Sequence, residues 1–261
     1  MTANYAAKKM EIQAILFDLD GTLLDTETLS DRAMLEVFKG LLAPEIVQEC
    51  ASRGHRIPWE LKKKLLGLRG SEWAPIVIEY ARNVWNVPEE QLPSVSELWS
   101  GWEEHLNLFC QDVEACPGAY DLVEALAMAG LPMAIATSSR ADSVAKKRTR
   151  HAAMFEKISK IVPGDHPAVV NGKPAPDIYI EAARQLGVDP KHCLVFEDAL
   201  SGVRAGKAAG CPVVAVPDPR FSVEEKATFV AEADVVLDNL QSFEGSLFGL
   251  VLGDPAPTTT A

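Results

Sequence analysis

The segment from residue 12 to residue 22 most constrains what this chain can fold into. An apolar run, residues 12–17, ends in two carboxylates, Asp18 and Asp20, which Gly21 follows. Such a run predicts a buried strand that opens into an active-site loop. On an extended backbone, residues two apart share one face, so one cation or one phosphate could meet both carboxylates. This segment alone also fits an ordinary strand with an acidic turn.

A second apolar run, residues 132–136, ends in three hydroxyl side chains, those of Thr137, Ser138 and Ser139. Hydroxyls and free backbone N–H groups at the carboxyl end of a strand, before a helix, are good phosphate ligands. The alternative is an ordinary helix N-cap, which Ser139 could supply. The segment is therefore a candidate phosphate-binding turn.

Two later segments also place charged side chains in a loop or at the end of an apolar run. Lys173 lies in a stiff, proline-containing loop, residues 171–177, although an exposed, solvated lysine would also fit. The apolar run 193–196 leads into Glu197 and Asp198, and a segment of small residues follows. In open parallel α/β sheets, ligands bind outside the carboxyl ends of the strands. All four segments would therefore meet at one edge of the sheet.

Together, the four segments resemble the motifs of the haloacid dehalogenase superfamily of phosphohydrolases. They are D-x-D-G-T, A-T-S-S, G-K-P-x-P-D and E-D-A-x-x-G-V-x-A-x-x-A-A-G, in the order and spacing of that family. Further segments resemble the branch that holds pseudouridine-5′-phosphatase and glycerol-3-phosphatase, with β-phosphoglucomutases as more distant relatives. These segments are 155–162, 164–165, 172–178, 193–199, 214–218, 240–243 and 247–250.

The resemblance implies a mechanism. Asp18 would be the nucleophile and would form an aspartyl-phosphate intermediate. Asp20 would protonate the leaving oxygen and then deprotonate water, so we expect neighbouring acids or partial burial to raise its pKa. Thr137 and Ser138 would hold the phosphoryl oxygens, and Lys173 would neutralise charge on the phosphate and on Asp18.

The same resemblance implies a bound cation, because a phosphate dianion must approach several carboxylates. Magnesium fits this role as a hard ion that takes oxygen ligands and keeps part of its water shell. The expected protein ligands are the Asp18 side chain, the Asp20 backbone carbonyl and Asp198. Glu197 would lie beside them or act through water.

The positions of the motifs predict how the chain is organised. Helix and strand patterns alternate after residue 117, which favours an α/β fold, a doubly wound parallel sheet. The interval 26–107 carries no motif and is almost wholly helical in its periodicity, so we expect a helical cap domain inserted after the first strand. The clearest helical stripe is Trp73, Ile76, Val77, Tyr80, Ala81 and Val84. The predicted core comprises residues 10–25 and 108–253, and residues 254–261 are predicted to form a disordered tail.

Specificity is expected to reside in the cap. Arg69 and Ser71 lie where related caps present a loop to the substrate, although a plain surface arginine fits equally well. All five tryptophans fall in the cap segment. Most of them are expected to pack in its core, and one could shape the substrate pocket.

Composition narrows the classes of partner. The 261 residues carry a formal net charge of −12, which argues against nucleic acid and anionic membranes as partners. No apolar run approaches the roughly 18 residues of a membrane span. The five cysteines contain no C-x-x-C pair and indicate reduced thiols. We expect a cytoplasmic monomer, while the ten N-terminal residues, with two lysines and no acid, leave organelle targeting open.

Three functions remain at this stage. The favoured one is a magnesium-dependent phosphatase that acts on a small phosphomonoester of a sugar, polyol or nucleotide, such as pseudouridine 5′-phosphate or glycerol 3-phosphate. The second is a phosphomutase of the β-phosphoglucomutase kind, with the same nucleophile. The third is a non-catalytic binding protein, which would have no need to keep Asp18, Asp20, Lys173 and Asp198 together.

Overall fold

The computed structural model describes residues 11–66, 68 and 70–253. The predicted disordered tail, residues 254–261, lies outside the described residues, as do the first ten residues. The strands are β1 (Ala14–Phe17), β2 (Met133–Ala136), β3 (Lys160–Val162), β4 (Cys193–Glu197), β5 (Val213–Ala215) and β6 (Val235–Val236). The α-helices are α1 (Thr26–Val37), α2 (Pro44–Ser52), α3 (Trp59–Lys62), α4 (Gly70–Asn83), α5 (Val95–Phe109), α6 (Ala119–Met128), α7 (Ala141–Arg150), α8 (Ala152–Phe155), α9 (Asp177–Leu186), α10 (Leu200–Ala208) and α11 (Val223–Glu232). Within the described residues, no helix is long and apolar enough to cross a membrane.

The strands form one parallel sheet in the order β3-β2-β1-β4-β5-β6. Helices cover both faces because successive side chains of each strand point to opposite sides. Ile15 and Phe17 of β1 belong to the apolar core on one face, while Ala14 and Leu16 belong to the core on the other. The predicted α/β fold with a parallel sheet is thereby confirmed.

The helical segment has an apolar core of its own. Residues between Met34 and Leu98 form a third buried cluster, separate from the two that flank the sheet. Of the predicted stripe on α4, Trp73, Val77 and Ala81 are buried, whereas Val84 is exposed just beyond the helix end. A separate core supports our proposal that residues 26–107 form a cap domain.

The two connections to the helical segment lie side by side. The amide of Asp25 donates to the carbonyl of Glu114, and the amide of Cys116 donates to the carbonyl of Leu23. Leu24 also forms isolated bridges with Asp20 and with a residue of the returning chain. The segment is therefore inserted through one paired connection, immediately after the loop that follows β1.

Aromatic packing stabilises the centre of the sheet. The rings of Phe17 and Phe196, on neighbouring strands, lie 5.1 Å apart, and that of Phe243 contacts Phe196 at 4.9 Å. Both strand residues are fully buried. Because a truncated phenylalanine leaves a cavity, we expect Phe196→Ala to lower the free energy of unfolding by about 3–5 kcal/mol. Urea denaturation measures this change.

The matched control is Val223→Ala, at a residue that is 82% exposed. Its effect on the free energy of unfolding should stay within about 0.5 kcal/mol. Equal effects of the two substitutions would contradict the assignment of Phe196 to the core.

Candidate active site

The carboxyl ends of the strands and the helical segment enclose a cavity of about 510 Å³. Each predicted motif reaches it from a different element. The turn after β1, the turn after β2, the loop before α9 and the end of β4 all contribute. The predicted site residues that line the cavity are Asp18, Asp20, Ser71, Thr137, Ser138, Lys173, Glu197 and Asp198. Arg69, the other predicted specificity residue, lies outside the described residues.

Lys173 is buried between two carboxylates. Its ammonium group donates to Asp18 Oδ1 at 2.5 Å and to Glu197 Oε1 at 2.6 Å. Burial alone would lower the pKa of Lys173, but the two carboxylates outweigh it and hold that pKa above its usual range. A solvated surface lysine, the alternative that the sequence left open, is therefore wrong, since only 2% of the side chain is exposed.

Glu197 is saturated with hydrogen bonds. Its Oε1 accepts from Lys173 and, at 2.7 Å, from the Tyr179 hydroxyl. Its Oε2 accepts from the amides of Asp198 and Ala199, both at 3.1 Å. A side chain on Gly202 would overlap this carboxylate, which explains the glycine of the fourth motif. The geometry favours a role in positioning Lys173 over the metal-ligand role that the sequence predicted for Glu197.

Asp18 and Asp198 are the carboxylates that remain for a cation. Burial raises the pKa of Asp18 to about 8, although the attraction of Lys173 opposes it. Burial, together with the charges of Glu197 and Asp18, also raises the pKa of Asp198 well above its usual value. Buried carboxylates that lack sufficient positive charge around them are a suitable place for a hard cation.

The turn at Gly21 packs closely against the Asp198 carboxylate. Gly21 has a φ of +87°, and a β-carbon there would collide with the Asp198 carboxylate. The described residues hold no cluster of three His, Cys, Asp or Glu side chains suited to a metal ion. Two carboxylates and a backbone carbonyl fit magnesium nonetheless, because this ion keeps several waters and takes up substrate phosphate.

Asp20 has a cationic partner that the sequence analysis missed. Lys147, on α7 and fully buried, donates to Asp20 Oδ1 at 2.5 Å and to the Ser139 hydroxyl at 2.9 Å. The hydroxyls of Ser139 and Thr137 donate to Asp20 Oδ2 at 2.7 and 3.2 Å. Burial raises the pKa of Asp20, but the charge of Lys147 and hydrogen bonds from Lys147, Ser139 and Thr26 outweigh it. The expected upward shift is therefore wrong, and the pKa lies below its usual value.

A signal for Lys147 was present in the sequence. It follows Lys146 and precedes Arg148, so it resembles one of the exposed basic residues common in the last turn of a helix. However, Val144, Lys147 and His151 are spaced at three and four residues, and all are buried. A lysine within the inward-facing stripe of a helix would have marked it as a candidate.

The phosphate-binding turn adopts a tight conformation. The amide of Ser139 donates to the Thr137 hydroxyl at 3.0 Å. The backbone at Gly164 packs so closely on the Ser138 carbonyl that a side chain would not fit there. Thr137 is fully buried, and Ser138 is partly exposed to the cavity. These contacts fix the turn at the edge of the sheet, beside Asp20.

The sequence of this chain is similar to that of known hydrolases over most of its length. The model of haloacid dehalogenase-like hydrolases matches residues 12–210. A probable pseudouridine-5′-phosphatase of Drosophila melanogaster is 36% identical over 258 residues, covering 95% of this chain and 97% of the relative. A (DL)-glycerol-3-phosphatase of Arabidopsis thaliana is 34% identical over 251 residues, covering 95% of each.

Solved structures agree with the fold. Phosphate-bound CbbY from Rhodobacter sphaeroides is 29% identical, with a TM-score of 0.66 over 88% of this chain and 96% of its own. A β-phosphoglucomutase from Clostridium difficile, at 19% identity and a TM-score of 0.65 over 90% and 94%, shares the fold. The family model spans most of the chain and named phosphatases match nearly all of it, so this chain belongs to the haloacid dehalogenase-like hydrolase family and is a phosphatase.

Proposed function

We propose that this protein is a magnesium-dependent hydrolase of small phosphomonoesters that acts through an aspartyl-phosphate intermediate. The observation that carries the proposal is the buried Asp18–Lys173–Glu197 bridge at the edge of the sheet. Lys173 holds one oxygen of Asp18, which orients the carboxylate as a nucleophile. The hydroxyls of Thr137 and Ser139 donate to Asp20 in the free enzyme, so the Ser138 hydroxyl and the backbone amides after β2 supply the donors for the phosphoryl oxygens.

The proposed reaction has two steps. A carboxylate oxygen of Asp18 forms a bond to phosphorus while the ester bond to the leaving oxygen breaks, and Asp20 delivers a proton to that oxygen. Water then attacks the acyl phosphate, gives its proton to Asp20 and releases phosphate from Asp18. A magnesium ion, held by Asp18, the Asp20 carbonyl and Asp198, would supply positive charge that offsets the charge of the phosphate dianion.

Lys147 is a positioning residue in this scheme. Its ion pair, together with the two hydroxyls, fixes both oxygens of Asp20 in the free enzyme. Asp20 then starts as a carboxylate, the form required to accept a proton from water. An arriving phosphate dianion adds negative charge beside Asp20 and raises its pKa, so that Asp20 takes up a proton from solvent before the ester bond breaks.

The substrates of the relatives define the proposed range. One relative is named for pseudouridine 5′-phosphate and another for glycerol 3-phosphate, so we propose a small phosphorylated metabolite of this kind. Because the closely similar relatives are phosphatases and the phosphoglucomutase shares only the fold, transfer to water is preferred over transfer to a second substrate. We retain the expectations of a cytoplasmic location and a monomeric state.

Replacement of the nucleophile tests the proposal directly. We expect Asp18→Asn to lower kcat by roughly a thousandfold or more, because an amide cannot attack phosphorus comparably. Phosphate release from p-nitrophenyl phosphate measures the loss, and circular dichroism checks that the fold persists. A folded variant with parental activity would disprove the assignment of Asp18.

The cation site is tested at Gly21. A β-carbon there would displace Asp198, so we expect Gly21→Ala to weaken magnesium binding roughly tenfold or more. Calorimetric titration with magnesium measures the affinity, and activity lost in EDTA should return on addition of magnesium.

Gly40→Ala is the matched control, since Gly40 has a φ of +83° and open space around its α-carbon. It carries the same backbone strain without the collision. Equal magnesium affinity in the two variants, or full activity after exhaustive chelation, would contradict the proposed site.

The role of Lys147 is tested by the leaving group. We expect Lys147→Met to lower kcat about tenfold or more on an alkyl phosphate, whose leaving oxygen needs a proton. The effect on p-nitrophenyl phosphate should be smaller, because p-nitrophenolate leaves without protonation. Lys146→Met, at the exposed neighbour, is the control, and Lys147→Arg should restore part of the loss. Equal losses on both esters would confine the role of Lys147 to the water step, which the two esters share, and no loss on either ester would contradict a positioning role.

A further inference from the structure

The wall of the cavity that faces away from the strand ends is aromatic. Three of the five tryptophans, Trp73, Trp99 and Trp102, line it from α4 and α5. Aliphatic side chains line the same cavity: Met34, Leu65, Leu66, Leu68 and Leu106. The cavity is therefore charged and polar at the phosphate end and apolar at the other end.

The indole rings are held in place before any ligand arrives. Trp102 Nε1 donates to the Ser30 carbonyl at 3.1 Å, and the Trp102 ring meets Trp73 edge to face at 5.0 Å. Trp99 packs directly on Gly70, where a β-carbon would lie 2.5 Å from two indole atoms. Rings fixed in this way lose little conformational entropy when a flat group stacks on them.

Two polar side chains on α5 also face this end of the cavity. Glu103 and Asn107 are one helical turn apart and line the cavity together with the indoles. No described residue donates to or accepts from either side chain. Partly buried polar groups of this kind are satisfied by water or by a ligand. Together they offer a carboxylate acceptor and an amide that both donates and accepts.

The charge of Lys62, which also lines the cavity, is already neutralised. Its ammonium group pairs with Glu27 at 2.5 Å and with Asp31 at 2.7 Å, and only 3% of the side chain is exposed. Apart from the Glu103 carboxylate, the described residues on α3 and α5 that line the cavity therefore offer stacking and hydrogen bonding.

From these observations we propose that the substrate's leaving group carries a planar heterocyclic ring. The ring stacks on the indoles of Trp99 and Trp102, and its N–H and carbonyl edge bonds to Glu103 and Asn107. This inference rests on the proposed phosphatase function and narrows it to nucleotide-like monophosphates. A cavity of about 510 Å³ has room for a nucleoside. A three-carbon or open-chain polyol would leave the aromatic wall in contact with water.

Matched substrates isolate the contribution of the ring. Uridine 5′-monophosphate and its C-linked isomer, pseudouridine 5′-monophosphate, differ from ribose 5-phosphate by the base. We expect kcat/KM for the better nucleotide to exceed that for ribose 5-phosphate and for glycerol 3-phosphate at least about tenfold, since stacking and edge contacts add together. Equal or higher values for the ring-free esters would overturn the inference.

A variant then tests the wall itself. Trp99→Leu keeps an apolar side chain but removes the stacking surface, so the ratio of kcat/KM between nucleotide and ribose 5-phosphate should fall about fivefold or more. The control is Trp59→Leu, whose ring lies against Phe221 at 4.8 Å and does not line the cavity. An unchanged ratio in a folded Trp99 variant would overturn the assignment of the wall.

A binding measurement covers the case in which Trp99→Leu does not fold. In the Asp18→Asn enzyme with magnesium, uridine or pseudouridine 5′-monophosphate should quench tryptophan fluorescence saturably, and ribose 5-phosphate should quench it far less. Equal quenching would overturn the inference. The two proposals also fail differently: absence of phosphate release from every ester, p-nitrophenyl phosphate included, would refute the phosphatase. Release without a preference for the ring would refute this inference alone.

Discussion

The ammonium group of Lys173, buried between Asp18 and Glu197, is the interaction on which the rest of the site depends. It joins β1, β4 and the loop before α9, three parts of the chain that are distant in sequence. Removing one partner of a buried ion pair typically costs about 3–5 kcal/mol, because the other charge is left uncompensated. Tyr179 and the backbone after β4 complete the coordination of Glu197, so this carboxylate serves the lysine and Asp18 remains directed toward the cavity.

Two buried lysines give Asp18 and Asp20, the two aspartates proposed to act in catalysis, different environments. Asp18 shares Lys173 with a second carboxylate and has a raised pKa, whereas Asp20 has Lys147 and two hydroxyl donors and has a lowered one. Active sites commonly separate the roles of two acids by separating their surroundings. In the proposed mechanism, the Asp20 carboxylate of the free enzyme suits the water step, and the charge of the substrate would prepare it for the ester step.

The sequence was sufficient to predict the sheet and most of the residues that meet at its edge. Short apolar runs that end in Asp18, Thr137 and Glu197 mark strands, and parallel strands must bring those ends together. Lys147 was missed because its importance depends on where α7 packs, 127 residues along the chain from Asp20. The predicted direction of the Asp20 pKa shift was wrong for the same reason, because the charge of Lys147 lowers that pKa. The hydrogen bonds of Glu197 could not be predicted for a similar reason, since local sequence does not reveal that Tyr179 and Lys173 both donate to its Oε1.

The helical segment is attached beside the proposed catalytic residue Asp20. Leu24 bridges to Asp20 on one side and to Ala115 on the other, and the returning amide of Cys116 bonds to Leu23. Movement of the segment that carries the aromatic wall would therefore act through the backbone of the turn that holds Asp20. A leaving group seated on that wall would contact α4 and α5 while its phosphate contacts the sheet edge. If the proposed leaving group binds at the wall, its binding and the alignment of Asp20 would be coupled by the chain itself, without a separate signalling element.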